Sequence, residues 1–346
     1  MGECLMYGLD LESRCLASVL NEDTVQFLIG TNNIKLDNQI CLLTVEDNYA
    51  RISSQAFVHS AGEIRAIAGS SEDHDMFACS SADYRETTPK FGHSIYKMNR
   101  ERNQLDTLAS TTSEFCPKSF EWESQTNTGS ALTSKDLTLF DMNQDLKVIR
   151  KQPLNDTVNA QAWSPHNGGR DLGIAMNSDV LYYDCRDLER PSFTIENAHV
   201  HRVLHLDFNP NLQYGIATCG DDAAVRIWDS RKLQKPLIVL RPHAHWIWQV
   251  RYHPVHDQIL LTSGSDACVV LNCVQSVSSE ADSQNTEEGT ERLEDGVLET
   301  IEEHEESVYS CTWSHGDAWT FASLSHDGRV VVSRVKREHK YALMQW

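Results

Sequence analysis

The sequence predicts an all-β fold, a seven-bladed propeller. Three observations support it: one fully legible repeat unit, its recurrence at regular spacing, and short alternating runs in between. The legible unit occupies residues 199–229 and reads HVHRVLHLDFNPNLQYGIATCGDDAAVRIWD. It holds three runs of strand type; in the last of them Val225 and Ile227 fall on one strand face and Arg226 on the other. Asn209-Pro210-Asn211 and Cys219-Gly220-Asp221-Asp222 supply the turns. A histidine in front, an aspartate in the second turn and a closing Trp-Asp pair are how a WD-repeat blade is written. A ring of such blades is a platform for partners, so the sequence points to a binding protein and not to an enzyme.

In chain order the predicted blades lie near 1–56, 57–106, 107–153, 154–196, 197–240, 241–303 and 304–346. The first three rest on looser signals: His59, Asp83, the run 93–97 and the pair Phe140-Asp141. In the fourth, Pro165 counts back to Trp163 and Val158, with Leu154 at the histidine position and Tyr183-Asp184 in place of Trp-Asp. The fifth is the legible unit, where Val203, Phe208 and Pro210 follow His199 by four, nine and eleven residues. The same offsets from His243 give Ile247, Tyr252 and Pro254, and from His304 they give Val308 and Trp313. Asp266 and Asp327 occupy the turn of Asp222, but Asn272 and Ser333 stand where Trp228 would be. The last sheet lacks one strand. Residues 5–11 are expected to supply it, closing the ring and removing an exposed edge.

Within each blade the expected frame is a hydrogen-bonded set of the front histidine, the turn aspartate and the tryptophan. The candidates are His199, Asp222 and Trp228, with His243, Asp266, His304 and Asp327 in the last two blades. Each bond contributes about 1 kcal/mol net, while an orphaned buried member costs about 1–3. Blades ending in Asn272 or Ser333 lack an indole donor. They are therefore expected to rely on apolar packing and to be softer.

Composition agrees with a folded, repetitive chain: 346 residues, 40% hydrophobic, eight tryptophans. No apolar run reaches the roughly eighteen residues of a membrane helix. The opening MGECLMYGLD has neither a signal segment nor a myristoylation pattern, so a cytoplasmic protein without direct membrane insertion is expected. Ten scattered cysteines include no Cys-x-x-Cys and read as reduced core residues. His199-Val200-His201 and His243-Ala244-His245 lack companion ligands, so neither metal nor cofactor is expected. Nucleophile elbows, phosphate loops and His-Glu-x-x-His motifs are missing as well.

The net charge of −20 argues against nucleic acid as a partner. Between Glu280 and Glu306 lie twelve acidic residues. The segment 275–296 is expected to be an acidic, disordered loop inserted in the sixth blade, on the face opposite the histidine turns. It is either a tolerated solvated loop or a contact for a basic partner, with Ser278, Ser279 and Ser283 as phosphorylation candidates. On the histidine-turn face the candidate partner-binding residues are Arg202, Trp246 and Ser307, with Asp221, Ser265 and His326 beside them. An exposed tryptophan next to an arginine has the composition of an interface anchor.

Several segments resemble the EARP- and GARP-complex-interacting protein family: residues 27–43 (FLIGTNNIKLDNQICLL), 59–64 (HSAGEI), 196–229, 245–265 (HWIWQVRYHPVHDQILLTSGS) and 302–331. The acidic insertion also sits where that family has one. The resemblance implies a non-enzymatic adaptor for the EARP and GARP tethering complexes, monomeric outside them. It further implies recruitment to the trans-Golgi network and recycling endosomes through those partners, in support of endocytic recycling, endosome-to-Golgi retrieval and dense-core vesicle cargo sorting. A second hypothesis comes from Trp228-Asp229-Ser230-Arg231, with a degraded copy at Tyr183-Asp184-Cys185-Arg186. This run is similar to the element by which WD-repeat proteins dock on cullin–RING ubiquitin ligases, Asp229 and Arg231 making the contact. A histone-binding propeller would suit the acidic surface but has no motif here.

Overall fold

The computed structural model describes residues 4–47, 49–281 and 293–344. They form seven antiparallel four-stranded sheets, each built from consecutive strands except the last. The sheets cover residues 13–59, 63–113, 117–153, 158–195, 203–240 and 247–301; the seventh joins 308–334 to the strand Cys4–Gly8. Cys4–Gly8 pairs antiparallel with Arg329–Arg334, from Cys4↔Ser333 to Gly8↔Arg329. The ring is thus closed by its own N-terminal strand, and Tyr7 Oη bonds Ser54 Oγ of blade one at 2.7 Å.

The seven inner strands stand around the axis, Ser13–Ser18 next to Val308–Trp313 where the circle closes. They alternate buried with partly exposed positions where they border the channel, whereas the second strands Gln26–Thr31, Ile259–Gly264 and Thr320–Ser325 are buried throughout, packed between neighbouring blades. Apolar layers between blades hold the ring: Leu28, Ile40 and Phe57 of blade one meet Ile64, Phe77 and Tyr96 of blade two. At the other end of the chain Leu271 and Ile301 of blade six meet Val308 and Phe321 of blade seven. All ten cysteines are unpaired, and burial pushes the thiols of Cys15, Cys41 and Cys273 up to about 12, 11 and 11.

Every inner strand shares one feature that alternation alone does not convey. Near its start the register slips by one residue against the second strand: at Arg14, Arg65, Lys118, Asn159, Leu204, Trp248 and Tyr309 in the seven blades. Such a bulge re-aims a single side chain out of the pleat.

Two further elements depart from the expected organisation. Beyond Arg334 the chain leaves the sheet and forms the helix Arg337–Met344, which buries Leu343 against the blade six–seven layer. Within the expected loop 275–296, Gln275–Val277 is a 3-10 turn and Gly296 already begins the outer strand. Residues 282–292 of that loop, Ser283 among them, lie outside the described residues.

Candidate protein-binding face

The blade frame is a chain of four groups, not three. In blade five the Trp228 indole donates to Thr218 Oγ1 at 3.0 Å. The same oxygen lies 2.9 Å from His199 Nε2, and His199 Nδ1 lies 2.8 Å from Asp222. With neutral histidine all protons run one way: indole to hydroxyl, hydroxyl to Nε2, Nδ1–H to carboxylate. Burial lowers the His199 pKa, outweighing the Asp222 carboxylate. Burial works to raise Asp222, but the bonds from His199 and Arg226 override it and hold the carboxyl below its ordinary range. Arg226 Nη1 pairs with Asp222 at 2.8 Å.

Blade six repeats the chain with one exchange. His243 bonds Asp266 at 2.8 Å and Thr262 at 2.9 Å, and the Asn272 side-chain amide donates to Thr262 at 3.0 Å. The amide supplies the donor that the indole supplies in blade five, a role the sequence reading did not assign to Asn272. In blade seven His304 bonds Ser325 and Ser323, each at 2.8 Å, and Ser325 hands the chain on to Asp327. Ser333 plays no part in it; its hydroxyl meets Cys4 Sγ. The member missed in the sequence is the hydroxyl. Its signal was present, because Thr218, Thr262 and Ser323 each stand four residues before the turn aspartate.

These networks occupy both ring nitrogens of His199 and His243, while His201 and His245 are exposed. Among the described residues no three His, Cys, Asp or Glu side chains gather as a metal site.

The six candidate partner-binding residues fall along one arc of the histidine-turn face. Asp221 takes hydrogen bonds from the Arg202 backbone and from its Nε, both at 2.9 Å, and the Arg202 guanidinium lies 5.3 Å from the Trp246 ring. Trp246 meets Trp248 edge to face at 5.8 Å, and Trp248 packs on Tyr309 at 4.7 Å. His326 approaches the other side of Tyr309 at 5.5 Å. Ser265 and Ser307 contribute backbone: Ser265 N–H donates to the Trp246 carbonyl, and the His326 N–H donates to that of Ser307. Trp246 is 36% exposed, so it offers an indole face to solvent.

This arc is continuous with a chamber of about 350 Å³ in the channel mouth, lined by all seven bulge residues. A second hollow on the same face shares Arg14, Asn32 and Arg65 with it. The charged residues lining the chamber are Arg14, Arg65, Lys118, Arg251 and a single carboxylate, Glu121. Arg65 is held by Glu63 at 3.0 Å, and Arg251 lies 3.7 Å from Glu121, whose deep position raises its pKa. The Arg14 guanidinium sits 4.6 Å from the Tyr309 ring. Around the collar, cations therefore occupy blades one to three and aromatic rings blades six and seven.

The Trp-Asp-x-Arg run has a local explanation. Arg231 grips Asp229 with two bonds, at 2.9 and 2.7 Å, and lies 4.4 Å over Tyr214. Arg186 holds Asp184 and Arg85 holds Asp83 in the same way two residues on. The spacing is thus a turn device repeated through the propeller. Of the phosphorylation candidates, Ser278 is buried and bonds Gln275, and Ser279 donates to Asp257 at 2.7 Å.

Seven four-stranded blades, with His-Thr-Asp frames in the fifth and sixth and a collar of bulged side chains, define a WD-repeat β-propeller. The chain belongs to the EIPR1 beta-propeller family, whose model matches residues 1–272, and a WD-domain G-beta repeat matches residues 296–332. It is similar to EARP-interacting protein 1 of Caenorhabditis elegans, 45% identical over the full length of both chains. It is also similar to human EARP and GARP complex-interacting protein 1, 32% identical over 98% of each. A plant relative, the Arabidopsis thaliana WD repeat-containing protein DWA2, is 27% identical over 95% of this chain and 96% of its own.

Proposed function

We propose that this chain is a non-enzymatic adaptor that binds the EARP and GARP tethering complexes and promotes their recruitment to membranes. The observation that carries the reading is full-length similarity to relatives named for interaction with those complexes. In this role it supports endocytic recycling, endosome-to-Golgi retrieval and dense-core vesicle cargo sorting. It is a cytoplasmic monomer outside its complexes, reaching the trans-Golgi network and recycling endosomes through its partners. Among the described residues no helix is long and apolar enough to cross a membrane, which suits recruitment by partners. The arc from Arg202 through Trp246 to His326 is the contact, with Trp246 as anchor and Arg202 held ready by Asp221.

The test is affinity purification of the tagged chain from cell extract, with subunits identified by mass spectrometry, beside an Arg202→Glu/Trp246→Ala double variant. Recovery of tethering subunits by the unmodified chain and their loss with the variant is the expected result. Equal recovery moves the contact off this arc. A cullin and its adaptor recovered without tethering subunits replaces the reading with a ligase receptor docking through Arg231.

A further inference from the structure

Resting on the adaptor reading, we propose that the channel collar is itself a recognition site. Its occupant is an acidic segment of a partner polypeptide that carries an aromatic or aliphatic side chain beside its carboxylates.

Position is the first argument. All seven blades place a bulge at the same height, and each bulged side chain lines the chamber. A bulge breaks ladder pairing locally, bends the strand and re-aims the side chain it carries, here into one shared chamber.

Charge is the second. The whole chain carries −20, yet the chamber is lined by four cations and one carboxylate. Arg14 and Lys118 are exposed and, among the described residues, have no ion-pair partner. A cationic mouth in an acidic surface concentrates the field on one spot and selects a negatively charged visitor.

The third argument separates a peptide from a simple anion. Two neighbouring members of the seven-residue collar are aromatic, Trp248 packed on Tyr309, and such a surface serves an apolar side chain but not a phosphate or sulfate. Among the described residues, six buried polar atoms of residues lining the chamber have no hydrogen-bond partner: the nitrogens Trp248 Nε1, His205 Nδ1 and Arg251 Nε, and the oxygens Asn32 Oδ1, Gln161 Oε1 and Ser119 Oγ. His205 and Gln161 are 5% and 1% exposed, and burial holds His205 neutral. A mixed set of this kind matches the alternating N–H and C=O groups of an extended backbone.

The experiment uses the purified full chain and fluorescent overlapping peptides covering the subunits of the EARP and GARP complexes, read by anisotropy. An Arg14→Glu/Lys118→Glu variant probes the collar; Lys147→Glu, on an exposed outer strand, makes a charge change elsewhere. Thermal unfolding of each verifies the fold. Expected is binding concentrated in acidic peptides with a neighbouring aromatic or aliphatic residue. The collar variant should weaken it at least about tenfold and Lys147→Glu should not, and amidating the peptide's acidic side chains should reproduce the loss. Binding of neutral or basic peptides instead, or undiminished affinity in the collar variant, overturns the proposal. So does the finding that no peptide binds while inorganic pyrophosphate does, which would make the chamber a small-anion site. If tethering subunits co-purify with the tagged chain yet no peptide uses the collar, the adaptor reading stands and this proposal falls. If acidic peptides bind through the collar but no tethering subunit co-purifies, the adaptor reading falls and the collar serves another acidic partner.

Discussion

At the scale of single residues, the blade frame is a chain of hydrogen bonds, and the hydroxyl is the member that joins the indole to the histidine. Thr218→Val keeps shape but removes both the acceptor of the Trp228 indole and the donor to His199, leaving two buried groups unsatisfied. A loss of about 2–3 kcal/mol in urea unfolding is expected. A loss of well under about 1 kcal/mol would show that the hydroxyl is no hub. The histidines also set the acid limit. Burial lowers eight of them, with His93 and His304 at about 4 and His253 at about 3. A histidine whose folded pKa lies below the unfolded value near 6.5 takes its proton first in the unfolded chain. Stability is therefore unaffected above pH 6.5 or so and falls as the pH drops toward 4, by about 1.4 kcal/mol per pH unit for each histidine fully inside that window. Two carboxyls that burial raises, Glu121 and Asp207, act in the opposite sense but are outnumbered. The urea midpoint at pH 5.5 should fall clearly below that at pH 7.5; equal midpoints would exclude the mechanism.

At the scale of elements, the three clear blades use one turn with different fillings. The residue after the turn aspartate adopts positive φ in each: Ala223 at 57°, Ala267 at 61° and Gly328 at 83°. Alanine is strained there and glycine is not, so Ala223→Gly and Ala267→Gly should each stabilise by up to about 1 kcal/mol. Gly328→Ala should destabilise more, since a Cβ would also meet the Leu11 carbonyl at 2.6 Å. A fall in melting temperature for both glycine variants would refute the strain argument. The same turns show why the blades could be read in the sequence. Gly-Asp, Asn-Pro and Trp-Asp punctuation is local chemistry, and the closing N-terminal strand followed from counting one strand short. The collar was not legible in the same way. A bulge is decided by how two strands pair, and nothing in Pro117-Lys118-Ser119 or Ile247-Trp248-Gln249 announces it. Arg202, Trp246 and His326 were readable because they flank the turn signals; Arg14, Arg65 and Lys118 sit in blades whose punctuation is degraded. The role of Asn272 was missed for a related reason: the pattern names a tryptophan, but the network asks only for a buried N–H.

At the scale of the whole molecule, two features pull salt dependence in opposite directions. Fifty acidic against thirty basic side chains repel one another in the compact state, so screening should stabilise it. Raising sodium chloride from about 50 to 500 mM shortens the Debye length from roughly 14 to 4 Å and should raise the melting temperature. The exposed ion pairs, such as Lys90–Glu86 at 2.6 Å, are too weak singly to reverse this. Partner association through the collar should respond the other way, because attraction between its cations and an acidic segment is screened by the same salt. A chain whose stability rises and whose tethering-complex recovery falls over one salt series behaves as an acidic body with a cationic mouth. If recovery rises together with stability, apolar contacts at Trp246 and Trp248 dominate the association and the cations of blades one to three are incidental to it.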